Sequence, residues 1–156
     1  MDHVALTARL EALLQETYAL WEPGWVTFNW RAYTYDHVQR VRALALTLCR
    51  AEGGDPWVTE LAALLHDLTK PYDGEYLTDA EGKRLVDDHG FWRNALRPPT
   101  GRNAVTDLYD RLGLAGRLHN ESGAALAEAL LRDWGLEPAL AARVAGAIHD
   151  HLIPPA

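Results

Sequence analysis

Leucine recurs at helical spacing from the start of the chain. Leu6, Leu10, Leu13, Leu14 and Leu20 put an apolar stripe along residues 2–20 and predict an amphipathic helix. An aromatic-rich connection from Trp21 to Trp30 follows, and its Pro23-Gly24 pair marks a turn. Val38, Val41, Ala45 and Leu48 share one face of a second predicted helix, from about Tyr35 to Glu52, which Gly53-Gly54 ends. Asp55-Pro56 restarts the chain as an N-cap followed by proline in the first turn. The third helix then runs to about Leu68, and Pro71 stops it. Residues 71–118 carry glycines, Pro98-Pro99 and many charges, with short helical candidates near 79–89 and 103–112. They read as an irregular insertion or cap region. Two clearer helices follow, one from about His119 to Trp134 and one from Glu137-Pro138 to about Leu152. No useful strand-type alternation is present, so the expected class is all-α. Residues 1–156 are read as a single domain, in which 1–34 form the N-terminal helix and aromatic connection.

Composition narrows the function classes. At 156 residues with 48% hydrophobic and 24% charged side chains, the chain is expected to form one globular core and not a disordered tail. A formal net charge of −7 argues against non-specific binding to nucleic acid or to an anionic membrane. No apolar stretch reaches the roughly 18 residues that span a bilayer, and no signal-peptide pattern opens the chain. The single cysteine, Cys49, lies in an apolar helical run and reads as a buried structural thiol. A cytoplasmic setting is the expectation.

The candidate chemistry sits at the end of the third helix. Leu61-Ala62-Ala63-Leu64-Leu65 is apolar, and His66-Asp67-Leu68-Thr69-Lys70 follows it directly. Burying an imidazole and a carboxylate is costly unless something pairs with them, and a divalent metal would pair with both. His37, His119 and the pair His149/His151 also fall near predicted helix ends, where packed helices bring side chains to one point. His3, at the chain's start, and His89, in Asp87-Asp88-His89-Gly90, read as solvated surface residues.

Leu64-Leu65-His66-Asp67-Leu68-Thr69-Lys70 resembles the signature of the HD-domain metal-dependent phosphohydrolases. Tyr35-Asp36-His37-Val38-Gln39-Arg40-Val41 is similar to that family's first histidine helix. His119-Asn120-Glu121-Ser122-Gly123-Ala124 is similar to its His-x-x-x-Gly-Ala element. Ile148-His149-Asp150-His151 is similar to its Ile-x-x-His element, which selects His151 over His149. The likeness runs from about Tyr35 to Pro154, and the His-Asp-x-x-Lys form is similar to a branch that hydrolyses dinucleoside polyphosphates. It implies an HD-domain-like helical bundle with a metal site between helix ends.

The resemblance also implies roles. His37, His66 and Asp67 would bind one metal, while His119 and His151 would hold a second, with Asp67 bridging. Such a nitrogen and oxygen donor set suits Mn, Fe, Co, Ni, Zn or Mg. The implied activity is hydrolysis of a small-molecule phosphate ester or anhydride, a nucleotide, by metal-activated water. Asp67 would orient that water. Lys70 would contact the substrate phosphate or, in the plainer reading, act as a helix-end cation. Arg93, Arg97 and Arg102 are candidates for a polyphosphate pocket, against the alternative of a solvated loop. Gly123 would allow close backbone approach beside His119 or would simply be a small helix contact.

The family supplies a final aspartate from a helix after the last histidine, and no counterpart follows His151 before Ala156. Asp150 is a poor substitute, because neighbours on a helix diverge by about 100°. This departure keeps a second reading open, a catalytically impaired module that binds nucleotide or metal as a sensor or partner. A third is an oxygen-dependent di-iron member of the fold. The aromatic cluster of Trp21, Trp25, Phe28, Trp30, Tyr33 and Tyr35 reads as a clasp between the first two helices, with a base-stacking platform as the alternative.

Overall fold

The structure, a computed structural model, describes residues 2–21, 30–88, 90 and 93–152, and side chains within 30–34 are not described. Its helices are α1 (His3–Tyr18), α2 (Trp30–Glu52), α3 (Pro56–Leu65), α4 (Ala104–Arg111), α5 (His119–Asp133) and α6 (Pro138–Asp150). A 3-10 turn, Lys70–Tyr72, follows α3. Local chemistry explains the starts. Asp55 accepts hydrogen bonds from the Trp57 and Val58 amides ahead of α3, with Pro56 at its first position. Asn103 and Thr106 form a reciprocal capping box on α4.

Helices α2 and α6 flank α3, α5 lies along α6, and α1 crosses α2 and α3. Leu6, Leu10 and Leu14 of α1, Leu61, Leu64 and Leu65 of α3, Leu126 and Leu131 of α5, and Ile148 of α6 fill the core between them. The second predicted stripe is only partly core. Val38 is fully buried, but Leu48 is 54% exposed and its neighbour Leu44 is 62% exposed. Their side of α2 has no helix packed over it among the described residues.

The expected helix over 79–89 is absent. Strand β1 (Asp73–Tyr76) pairs antiparallel with β2 (Asn94–Leu96), and Thr78 bridges Arg84 beyond them. Among the described residues the fold is thus helical with one small hairpin. Asp79 accepts hydrogen bonds from the Glu81 and Lys83 amides, and Gly82 takes φ +82°, so Asp79–Lys83 closes as a turn. At Gly74 a Cβ would lie 2.2 Å from the Ala95 carbonyl oxygen, so the irregular β1–β2 pairing requires glycine there.

Charge ties the first three helices together. Arg42 Nε donates to Glu60 Oε1 at 2.8 Å, and the same guanidinium pairs with Glu11. His3, expected to be solvated, instead lies 2.7 Å from Glu60 Oε2. Glu60 is 7% exposed. Removing Arg42 leaves that carboxylate buried with weak compensation, a change that costs about 3–5 kcal/mol. Arg42→Ala is expected to lower unfolding stability by about 3 kcal/mol in urea titrations, and a loss under about 1 kcal/mol would show that solvent already serves Glu60.

The aromatic clasp is visible at one end only. Trp21 is buried, packs edge-on against Tyr72 at 4.8 Å and donates from Nε1 to the Arg97 carbonyl. It therefore anchors the hairpin region. Tyr35 packs against the core, while Trp25 and Phe28 and the side chains of Trp30 and Tyr33 lie outside the described residues. Cys49 is free and buried. No described helix is long and apolar enough to cross a membrane.

Candidate metal centre

Asp67 is 1% exposed and lies in the turn that follows α3. Four imidazoles surround its carboxylate. The His37 and His66 Nε2 atoms lie 3.5 and 3.4 Å from Oδ2, and 3.3 Å from each other. On the other side, the His119 and His151 Nε2 atoms lie 3.5 and 4.0 Å from Oδ1. Ligand atoms bound to one ion at about 2.0–2.2 Å stand roughly 3–3.5 Å apart. Among the described residues, two groups meet the geometry for holding an ion, His37/His66/Asp67 and Asp67/His119/His151. Asp67 is common to both and is the sole carboxylate in either.

Hydrogen bonds at the opposite ring atoms set the tautomers. His66 Nδ1 lies 2.7 Å from the Ala63 carbonyl oxygen, and His151 Nδ1 lies 2.5 Å from that of Ile148. A carbonyl only accepts, so each Nδ1 carries the proton and each Nε2 presents a lone pair. His119 Nδ1 donates likewise to Asp73 Oδ2 at 2.5 Å. Three lone pairs therefore face a carboxylate that can only accept. His119 Nε2 and Asp67 Oδ1 are both buried and have no hydrogen-bond partner. Such a cluster of acceptors is satisfied by a cation, and the nitrogen and oxygen donors fit a divalent transition metal.

Burial pushes the Asp67 carboxyl up, but the surrounding imidazoles and the Lys70 ammonium outweigh it, so the group is held well below the usual carboxylate range. Burial also lowers the His37 and His151 imidazoles below the ordinary value of 6.5. Because the lowered groups favour the neutral form, their stability contribution is present above the unfolded value and is lost as pH falls through the folded one. Protons compete with metal over the same range. Metal retention is expected to stay level from pH 8 to about 6.5 and to fall steeply by about pH 5, as read by dialysis and elemental analysis. A retention curve already declining at pH 7.5 would contradict neutral imidazoles.

The helices explain why these side chains meet. His37 lies in α2, His66 at the end of α3, His119 at the start of α5, and His151 caps α6. Thr69 Oγ1, fully buried, reaches the His119 carbonyl at 3.2 Å and Ser122 Oγ at 2.8 Å, tying the His66–Lys70 turn to α5. Asn120 Nδ2 donates to the His149 carbonyl and fastens α5 to α6. A Cβ on Gly123 would lie 3.4 Å from Thr69 Oγ1 and 3.6 Å from the His66 carbonyl oxygen. Alanine fits there at ordinary contact, and a larger side chain would push α5 off the turn.

The remaining candidates separate. Lys70 Nζ lies 3.5 Å from Asp67 Oδ2, at the edge of the cluster. His149 points outward and pairs with Asp150, whose side chain is 75% exposed, so neither reaches Asp67. Arg102 is committed to Asp107 and Asp110 on the exposed side of α4. Arg97 lines a surface cavity with Trp21, Pro98 and Pro99. Arg93 lines another, of about 240 Å³, beside Asp73 and Arg117. The three arginines do not converge on one pocket. Asp73, by contrast, had no visible signal in the sequence. It reads as a turn residue, and its partner His119 is 46 positions away.

No curated protein and no solved structure matches the chain closely enough to count as a relative. A family model described as the HD domain matches residues 34–152, which hold His37, His66, Asp67, His119 and His151. The chain belongs to the HD-domain family.

Proposed function

We propose that the protein is a metal-dependent phosphohydrolase that cleaves a small-molecule phosphate ester or anhydride. The observation that supports this reading is the shared Asp67 carboxylate, with each oxygen facing its own pair of imidazoles. HD-domain proteins are generally metal-dependent hydrolases. Divalent ions at such positions lower the pKa of water and neutralise charge on phosphoryl oxygens.

The chain's own groups supply the rest. Asp67 stays ionised and holds both histidine pairs in register. His66, His119 and His151 keep their Nδ1 protons on fixed acceptors, so no tautomer change is needed when a cation enters. Lys70, 34% exposed at its side chain, offers a point charge to a phosphate that reaches the centre. The compound that the family likeness favours is a nucleotide. A cytoplasmic setting suits the free Cys49 thiol.

A second reading is a module that binds metal or nucleotide without turnover. The observation in its favour is that Asp67 is the sole carboxylate of the two groups. One experiment separates them. Purified protein is analysed for metals, loaded with Mn, Co, Ni or Mg, and screened for phosphate release. The panel covers nucleoside mono-, di- and triphosphates, cyclic nucleotides and dinucleoside polyphosphates. Release above the Asp67→Ala background supports the hydrolase. Tight ligand binding with no product after long incubation supports the module.

A further inference from the structure

The metal centre opens onto a groove of about 470 Å³ between α2, α3 and α6. On α2 its wall runs His37, Val41, Ala45, at steps of four residues. On α3 it runs Val58, Ala62, His66 at the same step. Ala147 stands one turn before His151 on α6. Residues four apart share a helix face, so each helix presents small apolar side chains that lead up to one of the candidate ligands. The imidazoles of His37, His66 and His151 form one end of the groove. Leu48, one turn beyond Ala45 on α2, is exposed.

Among the described residues, Thr59 is the only polar side chain lining this space apart from the three histidines. A sugar or a base edge held here would leave most of its donors and acceptors without partners, which is costly. A hydrocarbon surface would not. The volume falls within the range of small-molecule sites, so the groove has room for a whole organic group and not only a methyl. Lys70 and the centre itself account for the phosphoryl end.

We propose that this groove holds the organic part of the substrate, and that this part is an apolar aryl or alkyl group esterified to phosphate. The inference rests on the phosphohydrolase reading and narrows its substrate class away from a nucleotide. It concerns the chain's own side chains, so it is testable by binding alone.

The probes are 1-naphthylmethylphosphonate, methylphosphonate and a nucleoside 5′-phosphonate, none of which has a hydrolysable P–O–C link at the metal-facing phosphorus. Each is titrated calorimetrically into Mn-loaded protein at several temperatures. The naphthyl compound is expected to bind about ten- to a hundredfold tighter than methylphosphonate, the gain from burying one aromatic group, with a more negative heat-capacity change. Ala147→Phe, at an exposed position on α6, fills the groove and is expected to collapse that preference while metal content holds. Ala45→Phe repeats the test from α2. Equal affinities for the two simple phosphonates overturn the groove assignment and leave the hydrolase reading standing. Tighter binding of the nucleoside phosphonate than of the naphthyl compound also overturns it. No binding of any phosphonate overturns both readings together. A wild-type dimer that Ala147→Phe dissociates, with no naphthyl preference, overturns it by making a second copy the occupant.

Discussion

Asp67→Ala is expected to leave the purified protein without bound metal and without phosphate release, while its helical circular dichroism stays close to wild type. The carboxylate is the one group common to both sets of candidate ligands, so its loss dismantles both at once. Four imidazoles then remain with no carboxylate among the candidate ligands to offset a divalent charge. The helices do not depend on that side chain. Their packing is carried by Leu61, Leu64, Leu65 and Leu68 on one side and by Leu126, Leu131 and Ile148 on the other. His66→Ala is expected to act in the same direction, because His66 Nε2 lies within 3.4 Å of both His37 Nε2 and Asp67 Oδ2. Unchanged metal content and activity in both variants, assayed with metal in excess, would refute the site.

Asp73→Ala is expected to weaken metal binding about 10–100-fold without emptying the site. Asp73 does not join either ligand group. It accepts the Nδ1 proton of His119, fixing the ring so that Nε2 faces Asp67. Its negative charge also makes that ring a better donor to a cation. Asp73→Asn keeps an acceptor but removes the charge, so affinities should fall in the order wild type, Asn, Ala. Competition against a chromogenic chelator measures this directly. If Asp73 served only to shape the hairpin, both variants would lower the melting temperature of metal-free protein and leave relative metal affinity intact.

Much of this fold was legible because its signals are local. Asp55-Pro56 capped α3, Glu137-Pro138 opened α6, and leucine spacing marked α1. These features act over one helical turn. The failures are equally local in origin. A helical reading of 79–89 misses a turn closed by Asp79 and Gly82, where side chain to amide bonds win over helical period. On α2 the periodic stripe was real, but periodicity alone does not say what covers it. Val38 meets the core, whereas Val41 and Ala45 face the groove and Leu48 faces solvent. His3 was misread for the same reason, since its partner Glu60 is on another helix.

The site divides in the same way. The amino-acid sequence by itself determined the helices, the apolar run that carries His66-Asp67, and the family pattern of four histidines. Each of those is written in neighbouring residues. Only the tertiary structure decided that Asp67 presents one oxygen to His37 and His66 and the other to His119 and His151. It alone placed Asp73 behind His119, turned His149 outward and left an apolar groove at the centre's mouth. The physical reason is distance along the chain. His119 and Asp73 are 46 residues apart and His66 and His37 are 29 apart, and contacts of that span are set by how helices pack, which no local propensity encodes.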